Sequence, residues 1–169
     1  MFAELAMPLF DQLYNFAHWL TQDRSEAEDL VQETYSKALR GFSSFQPGTN
    51  FRAWIYRILR NTFLTSRTGL QAANTPLEVD EATETLAVTE TPESIFLDHT
   101  DQKLLRDAID ALPLHYREVL LLCDVEDMSY KEIAETVGIP LGTVMSRLAR
   151  ARGELRKTLQ DKLARRSND

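Results

Sequence analysis

The stretch that decides the fold is Ser129–Lys157, SYKEIAETVGIPLGTVMSRLARARGELRK. It reads as two helices about a tight break. In the first, Ile133, Ala134 and Val137 recur on one face at helical spacing. Ser129 stands before them with Glu132 three residues on, a capping-box pattern. Gly138 ends the helix, as a residue that tolerates positive φ does at a C-terminus. Pro140 cannot donate to a helical ladder but fits the start of the next helix. In the second helix Val144, Leu148, Ala151 and Leu155 form an apolar back. The opposite face carries Gly142, Ser146, Arg150, Gly153 and Lys157, flanked by Thr143 and Arg147. Small residues let a backbone approach a duplex, while hydroxyls and guanidinium forks reach phosphates and base edges in a major groove. A plain helical hairpin with a solvated basic face shares this composition. The spacing of Ala134, Gly138 and Val144 points instead to a DNA-binding helix-turn-helix.

Working outward, a chain of 169 residues allows one domain or two small ones, and 43% hydrophobic residues is ordinary for a folded protein. No apolar run reaches the length of a membrane span, so no membrane insertion is expected. The N-terminus has acids where a secretion signal carries lysines. The single Cys123, in VLLLC, is expected as a buried thiol, and one cysteine excludes an internal disulfide, in keeping with a reducing cytoplasm. His18, His99 and His115 lie far apart, without metal-ligand spacing. No glycine-rich phosphate loop or nucleophile motif occurs, so no catalytic residue, metal, cofactor or small-molecule substrate is expected.

The net charge of −7 is unevenly spread. Residues 1–67 balance, residues 68–92 carry five acids and no base, and residues 139–169 carry eight bases and three acids. Attraction to phosphate acts within roughly 8–10 Å, so the local cationic face outweighs the overall sign. The overall acidity still argues for weak DNA affinity in isolation and for a partner that delivers the chain to DNA.

The first segment divides again. An apolar stripe of Leu9, Leu13, Phe16, Ala17 and Leu20 predicts a helix broken or begun near Pro8. A second helix is expected over 26–40, with Asp23 or Ser25 as cap, Ala27, Leu30, Val31, Thr34 and Ala38 facing inward, and Gly41 as its stop. All seven acids of residues 1–67 fall at or before Glu33, and none occurs from Thr34 to Leu77. An acidic half and a basic half suggest two partners of opposite charge. After the turn at Pro47-Gly48, Asn50 can cap a third helix, NFRAWIYRILRNTFLTSR. Phe51, Trp54, Tyr56 and Phe63 alternate there with Arg52, Arg57, Arg60 and Arg67. That alternation stacks unpaired bases and tracks a single strand's backbone. Core packing of the aromatics is the competing reading. Residues 68–92 read as a flexible acidic linker. Thr91 and Pro92 start a fourth helix running to about Ala111, and a leucine-rich fifth spans Leu114 to about Val125. The chain's end, KLARRSND, is expected to fray.

The whole is thus expected to be all-α: two small helical domains, 1–67 and 93–169, joined by a linker at 68–92. In this arrangement three stretches resemble the extracytoplasmic-function sigma factors of the sigma-70 family, bacterial promoter-recognition subunits of RNA polymerase. They are AEDLVQET at 27–34, FRAWIYRILRN at 51–61, and ALPLHYREVLLL continuing through the helix-turn-helix. The resemblance implies that Asp29, Leu30, Gln32 and Glu33 dock on core polymerase. It implies that Asn50, Phe51, Arg52, Trp54, Arg57, Arg60 and Asn61 bind and melt the -10 element. Thr143, Ser146, Arg147 and Arg150 would read the -35 element. Met145 and Ala149 depart from relatives that carry longer polar or aromatic side chains there, which bears on the -35 sequence recognised. Promoter DNA, core RNA polymerase and an anti-sigma factor are the implied partners. Two rivals stand beside this reading: an autonomous helix-turn-helix regulator, and a sigma mimic that titrates an anti-sigma factor.

Overall fold

The computed structural model describes residues 1–68 and 99–167. The expected linker, apart from Thr68, and the helix start at Thr91-Pro92 lie outside the described residues. The N-terminal unit runs α1 (Phe2–Ala6), a 3-10 turn (Met7–Leu9), α2 (Phe10–Thr21), α3 (Arg24–Gly41), a second 3-10 turn (Phe42–Ser44) and α4 (Phe51–Thr68). The C-terminal unit runs α5 (His99–Asp110), α6 (Leu114–Leu120), a π-helical turn (Leu121–Val125), α7 (Tyr130–Val137) and α8 (Leu141–Ser167). No strand occurs among the described residues.

The local signals act where the sequence places them. Pro8 lies in the 3-10 turn ahead of α2. Asp23 caps α3, its Oδ1 accepting from the Glu26 amide at 3.0 Å. Asn50 Oδ1 accepts from the Ala53 amide at 3.1 Å and so starts α4. At α7 the capping box is complete: Ser129 Oγ accepts from the Glu132 amide at 3.1 Å, and Glu132 Oε1 from the Ser129 amide at 3.3 Å. Each such cap contributes about 1 kcal/mol. Gly138 closes α7 at φ 79°, a left-handed conformation that a Cβ would strain. The helix α8 continues to Ser167, through residues expected to fray.

In the N-terminal unit, Leu13, Phe16, Ala17 and Leu20 of α2 bury with Ala27, Val31 and Ala38 of α3 and Ile55, Leu59 and Phe63 of α4. In the C-terminal unit, Val119 to Leu122 bury with Ile133 and Val137 of α7 and with Val144, Leu148, Ala151 and Leu155 of α8. Three expectations need correction. Tyr56, grouped by sequence with base-stacking aromatics, is a core residue at 0% exposure, whereas Phe63, also read as a core candidate, is buried at 4%. Tyr56 stacks on Phe16, ring centroids 5.5 Å apart. Thr136, not foreseen as core, is fully buried because its hydroxyl turns back to the Glu132 carbonyl. Cys123 is only half-buried, with Arg152 Nη2 at 3.6 Å from its sulfur. The fifth helix tightens no further as an α-helix after Leu120 but widens, the Glu126 amide reaching the Leu121 carbonyl five residues back at 2.9 Å.

The sequence leaves open whether the two units touch. They do: α4 lies along α7, and the Gly138 turn approaches α4. A second contact sets the Arg106 guanidinium 4.8 Å from the centre of the Trp19 ring, a cation–π geometry.

Candidate nucleic-acid interface

Helix α4 presents three faces. Ile55, Leu59 and Phe63, four residues apart, bury in the core of their own unit. Arg52, Tyr56 and Arg60, at the same spacing, face the C-terminal unit. Arg60 Nε donates to Glu118 Oε2 at 2.7 Å and Nη2 to Oε1 at 3.0 Å, with both side chains withdrawn from water. Tyr56 donates its hydroxyl to Glu126 Oε2 at 2.8 Å. Arg52 donates to the Glu126 carbonyl. One turn earlier, Asn50 Nδ2 donates to Glu132 Oε2 at 3.1 Å. The third face carries Trp54, Arg57 and Asn61. Arg57 and Asn61 are exposed and Trp54 is partly so.

Trp54 does not stand alone. Its ring lies 5.1 Å from Phe45 and 5.5 Å from Phe51, with Phe42 at 6.4 Å. Phe51 is nearly buried at 8% and anchors this aromatic shelf at the start of α4. The shelf, Arg57 and Asn61 thus share one end and one side of the helix, with no acid on α4 to repel a phosphate.

On α8 the apolar back forms as its spacing predicts. Of the polar front, Thr143 and Ser146 are partly exposed, and Ser146 Oγ donates to the Thr143 carbonyl at 3.2 Å. Arg150 is half-buried. Arg147 is the surprise: it is 2% exposed, and its Nε and Nη1 have no hydrogen-bond partner. Beside it Leu141 and Met145 stand out in solvent at 49% and 52%.

The acidic half forms a separate surface. Asp29, Gln32 and Glu33 are exposed along α3, whereas Leu30 is only 6% exposed and belongs to the core. Asp29, Leu30 and Glu33 line a groove of about 600 Å³ between α3 and the end of α4, with Thr62, Ser66 and Arg67 opposite. Arg67 closes one end of it through a 3.0 Å ion pair with Glu26.

Known proteins match both units. Residues 5–72 match the family described as Sigma-70 region 2, and residues 102–155 that described as Sigma-70, region 4. EcfG of Rhodopseudomonas palustris, an ECF RNA polymerase sigma factor, is 36% identical over 160 residues, which cover 88% of this chain and 86% of that protein. The chain belongs to the extracytoplasmic-function sigma factors. SigE of Mycolicibacterium smegmatis is 37% identical over 98% of this chain, which spans 63% of that protein's length. Among solved structures, the sigma factor RpoE in complex with the anti-sigma factor NepR from Bartonella quintana superposes with TM-score 0.69, at 30% identity. It covers 94% of this chain and 96% of its own.

Within this sigma factor, sequence reasoning missed Glu118 and Glu126. The signal was present. Glu118 is a carboxylate flanked by Val119 to Leu122 on a leucine-rich helix, a position that calls for a buried cation. Glu126 is set by the π-helical turn, which no propensity scale announces. Burial raises the Glu126 carboxyl above the usual range, with the Tyr56 hydroxyl and the Arg52 charge working against that rise. Burial and the Glu126 charge push the Tyr56 hydroxyl upward in turn, so it stays protonated and donating. No described helix is long and apolar enough to cross a membrane.

Proposed function

We propose that residues 1–67 bind core polymerase and open the -10 element, that 68–92 tether, and that 93–169 read the -35 element. Asp29, Gln32 and Glu33 would meet a basic helical surface of the polymerase, with Leu30 as the buried floor behind them. The aromatic shelf of Phe45, Phe51 and Trp54, with Arg57 and Asn61, would capture bases of the unpaired strand. Taking a base out of the stack costs a few kcal/mol. Stacking on an aromatic returns roughly 1–3 kcal/mol per base, so captured bases offset much of that cost and help trap the open duplex without ATP. Thr143, Ser146, Arg147 and Arg150 would enter the major groove. The chain itself would carry no catalysis; the polymerase forms the bonds. It would act in the cytoplasm, under an anti-sigma factor; the sigma factor RpoE, which it resembles, is solved in complex with the anti-sigma factor NepR.

The observation that carries this reading is the third face of α4: an aromatic shelf with Arg57 and Asn61 exposed and no acid on the helix. An autonomous repressor has no use for such a face. The test is run-off transcription with purified core polymerase on a promoter library, with and without the chain. Transcripts that start a fixed distance below a shared -35/-10 pair are expected. DNA binding without transcription would favour the autonomous regulator, and neither activity the mimic. Trp54→Ala with Asn61→Ala should then impair initiation more on duplex than on a pre-melted bubble.

A further inference from the structure

The aromatic shelf has a back as well as a front. Phe42 and Phe51 each touch both Phe45 and Trp54, at ring-centroid distances between 5.1 and 6.4 Å across the group. Behind them stands a ring from far earlier in the chain. Phe2 of α1 meets Phe42 edge-on at 5.3 Å and Phe51 at 6.2 Å, within the range that aromatic pairs favour. Two of the shelf's rings need such support. Phe42 lies in a 3-10 turn of three residues and Phe45 in the extended residue after it, and side chains on turns and loops are held less firmly than those on long helices.

Helix α1 has five residues, too few to persist alone in water. It is tied down at its other end. Ala6 is fully buried, and its carbonyl accepts the Tyr35 hydroxyl of α3 at 2.7 Å. Burial and the Asp11 charge raise the Tyr35 hydroxyl above its ordinary value, so it stays protonated and donating. Tyr35 itself stacks on Phe10, 6.0 Å away. We propose that Phe2 is a positioning residue for -10 binding: it fixes Phe42 and Phe51 so that Phe45 and Trp54 are preset for an unpaired base, and Tyr35 holds Phe2 there through α1. Rings ordered in advance spend less of the stacking energy on their own immobilisation. The inference rests on the assignment of the shelf to base capture.

The test is run-off transcription by the full chain with core polymerase, on one promoter as duplex and as a pre-melted bubble. Phe2→Ala should lower initiation on duplex about fivefold, the size of one lost aromatic pair, and on the bubble by less than about twofold. Tyr35→Phe keeps the ring and removes only the tie to α1, so the duplex-to-bubble ratio should fall about twofold, as for one hydrogen bond. It alone carries the test if Phe2→Ala loses its helical circular dichroism. In the Phe2→Ala background, Tyr35→Phe should have no further effect, because both act through one contact. Equal losses on both templates would mean that Phe2 only supports the fold, and fully additive effects would mean that Tyr35 does not act through Phe2; either overturns the proposal. Trp54→Ala separates the two ideas. If it lowers the ratio and the Phe2 and Tyr35 variants do not, the positioning role alone falls. If it leaves the ratio unchanged, the assignment of the shelf to base capture falls.

Discussion

Arg60 on α4 and Arg147 on α8 are both arginines on helices proposed to bind nucleic acid, and both are almost fully withdrawn from water. They are withdrawn in opposite ways. Arg60 makes two short hydrogen bonds to one carboxylate. Arg147 keeps two nitrogens without a partner. A buried ion pair with good geometry roughly breaks even against apolar packing, whereas a buried group left unpaired costs about 1–3 kcal/mol or more. The contact between the units is thus satisfied at Arg60, whereas the packing around α8 leaves Arg147 partly unsatisfied.

The largest expected effect comes from breaking the satisfied side. Arg60→Leu leaves Glu118 buried without a cation and should cost about 3–5 kcal/mol of stability in a urea titration. The double variant Arg60→Leu, Glu118→Met replaces the pair by apolar side chains and should recover most of that loss. If the double variant is no better than the single, Arg60 and Glu118 do not act as a unit and the contrast with Arg147 fails.

The next effect is functional. Arg147→Ala with Arg150→Ala removes two guanidinium groups from the face assigned to the -35 element. At roughly 1–3 kcal/mol for each such contact, -35-dependent run-off should fall on the order of 100-fold, with core polymerase binding unchanged in a pull-down. Equal loss of polymerase binding would show that the face is misassigned.

These two arginines also mark what the sequence carries and what it does not. Helix spacing made the backs of α7 and α8 legible, because Ile133, Val137, Val144, Leu148, Ala151 and Leu155 repeat at the period of a helix and all bury. Asp23, Asn50, Ser129 and Gly138 announced helix ends because capping is local chemistry. The same period could not assign the arginines. Arg52, Arg57 and Arg60 lie within nine residues of one helix, yet Arg57 is exposed and Arg60 is buried. What separates them is a carboxylate 58 positions away in the chain. Arg147 likewise projects onto the edge of a polar face, and only the tertiary arrangement covers it. Tyr56 was misread for a related reason: an aromatic between arginines has the same local pattern whether it stacks on a base or on Phe16.

Arg147 gives the third expectation. Arg147→Met keeps much of the apolar length of the side chain and removes a charge whose Nε and Nη1 have no partners. It should stabilise the free chain by about 1–2 kcal/mol, measured as a raised urea midpoint. The same variant should lose -35-dependent transcription. Stabilisation joined to inactivity is the signature of a residue kept for function against the interest of the fold. A destabilised variant would mean that the buried guanidinium is held by its environment after all, and that the two arginines are alike.

The smallest effect separates the two carboxylates that receive α4. Glu118 has a guanidinium fork, whereas Glu126 has a phenol hydroxyl, with Arg52 bonded to its main-chain carbonyl and not to its carboxylate. Burial therefore dominates at Glu126 and raises its carboxyl above 4.5, the ordinary value. A carboxyl raised in the folded state binds more protons there than in the unfolded chain, so its contribution grows as pH falls through the folded value and is complete below the unfolded one. Lowering the pH from 7 toward 5 should accordingly shift the difference in unfolding free energy, wild type minus Glu126→Gln, in favour of the wild type. Other carboxylates cancel in that difference. Their own protonation will lower the stability of both proteins, but only the wild type has a buried carboxyl at this position to gain from it. A difference that stays flat would mean that Glu126 is as well paired as Glu118, and that the contact between the units rests on two equal ionic contacts instead of one.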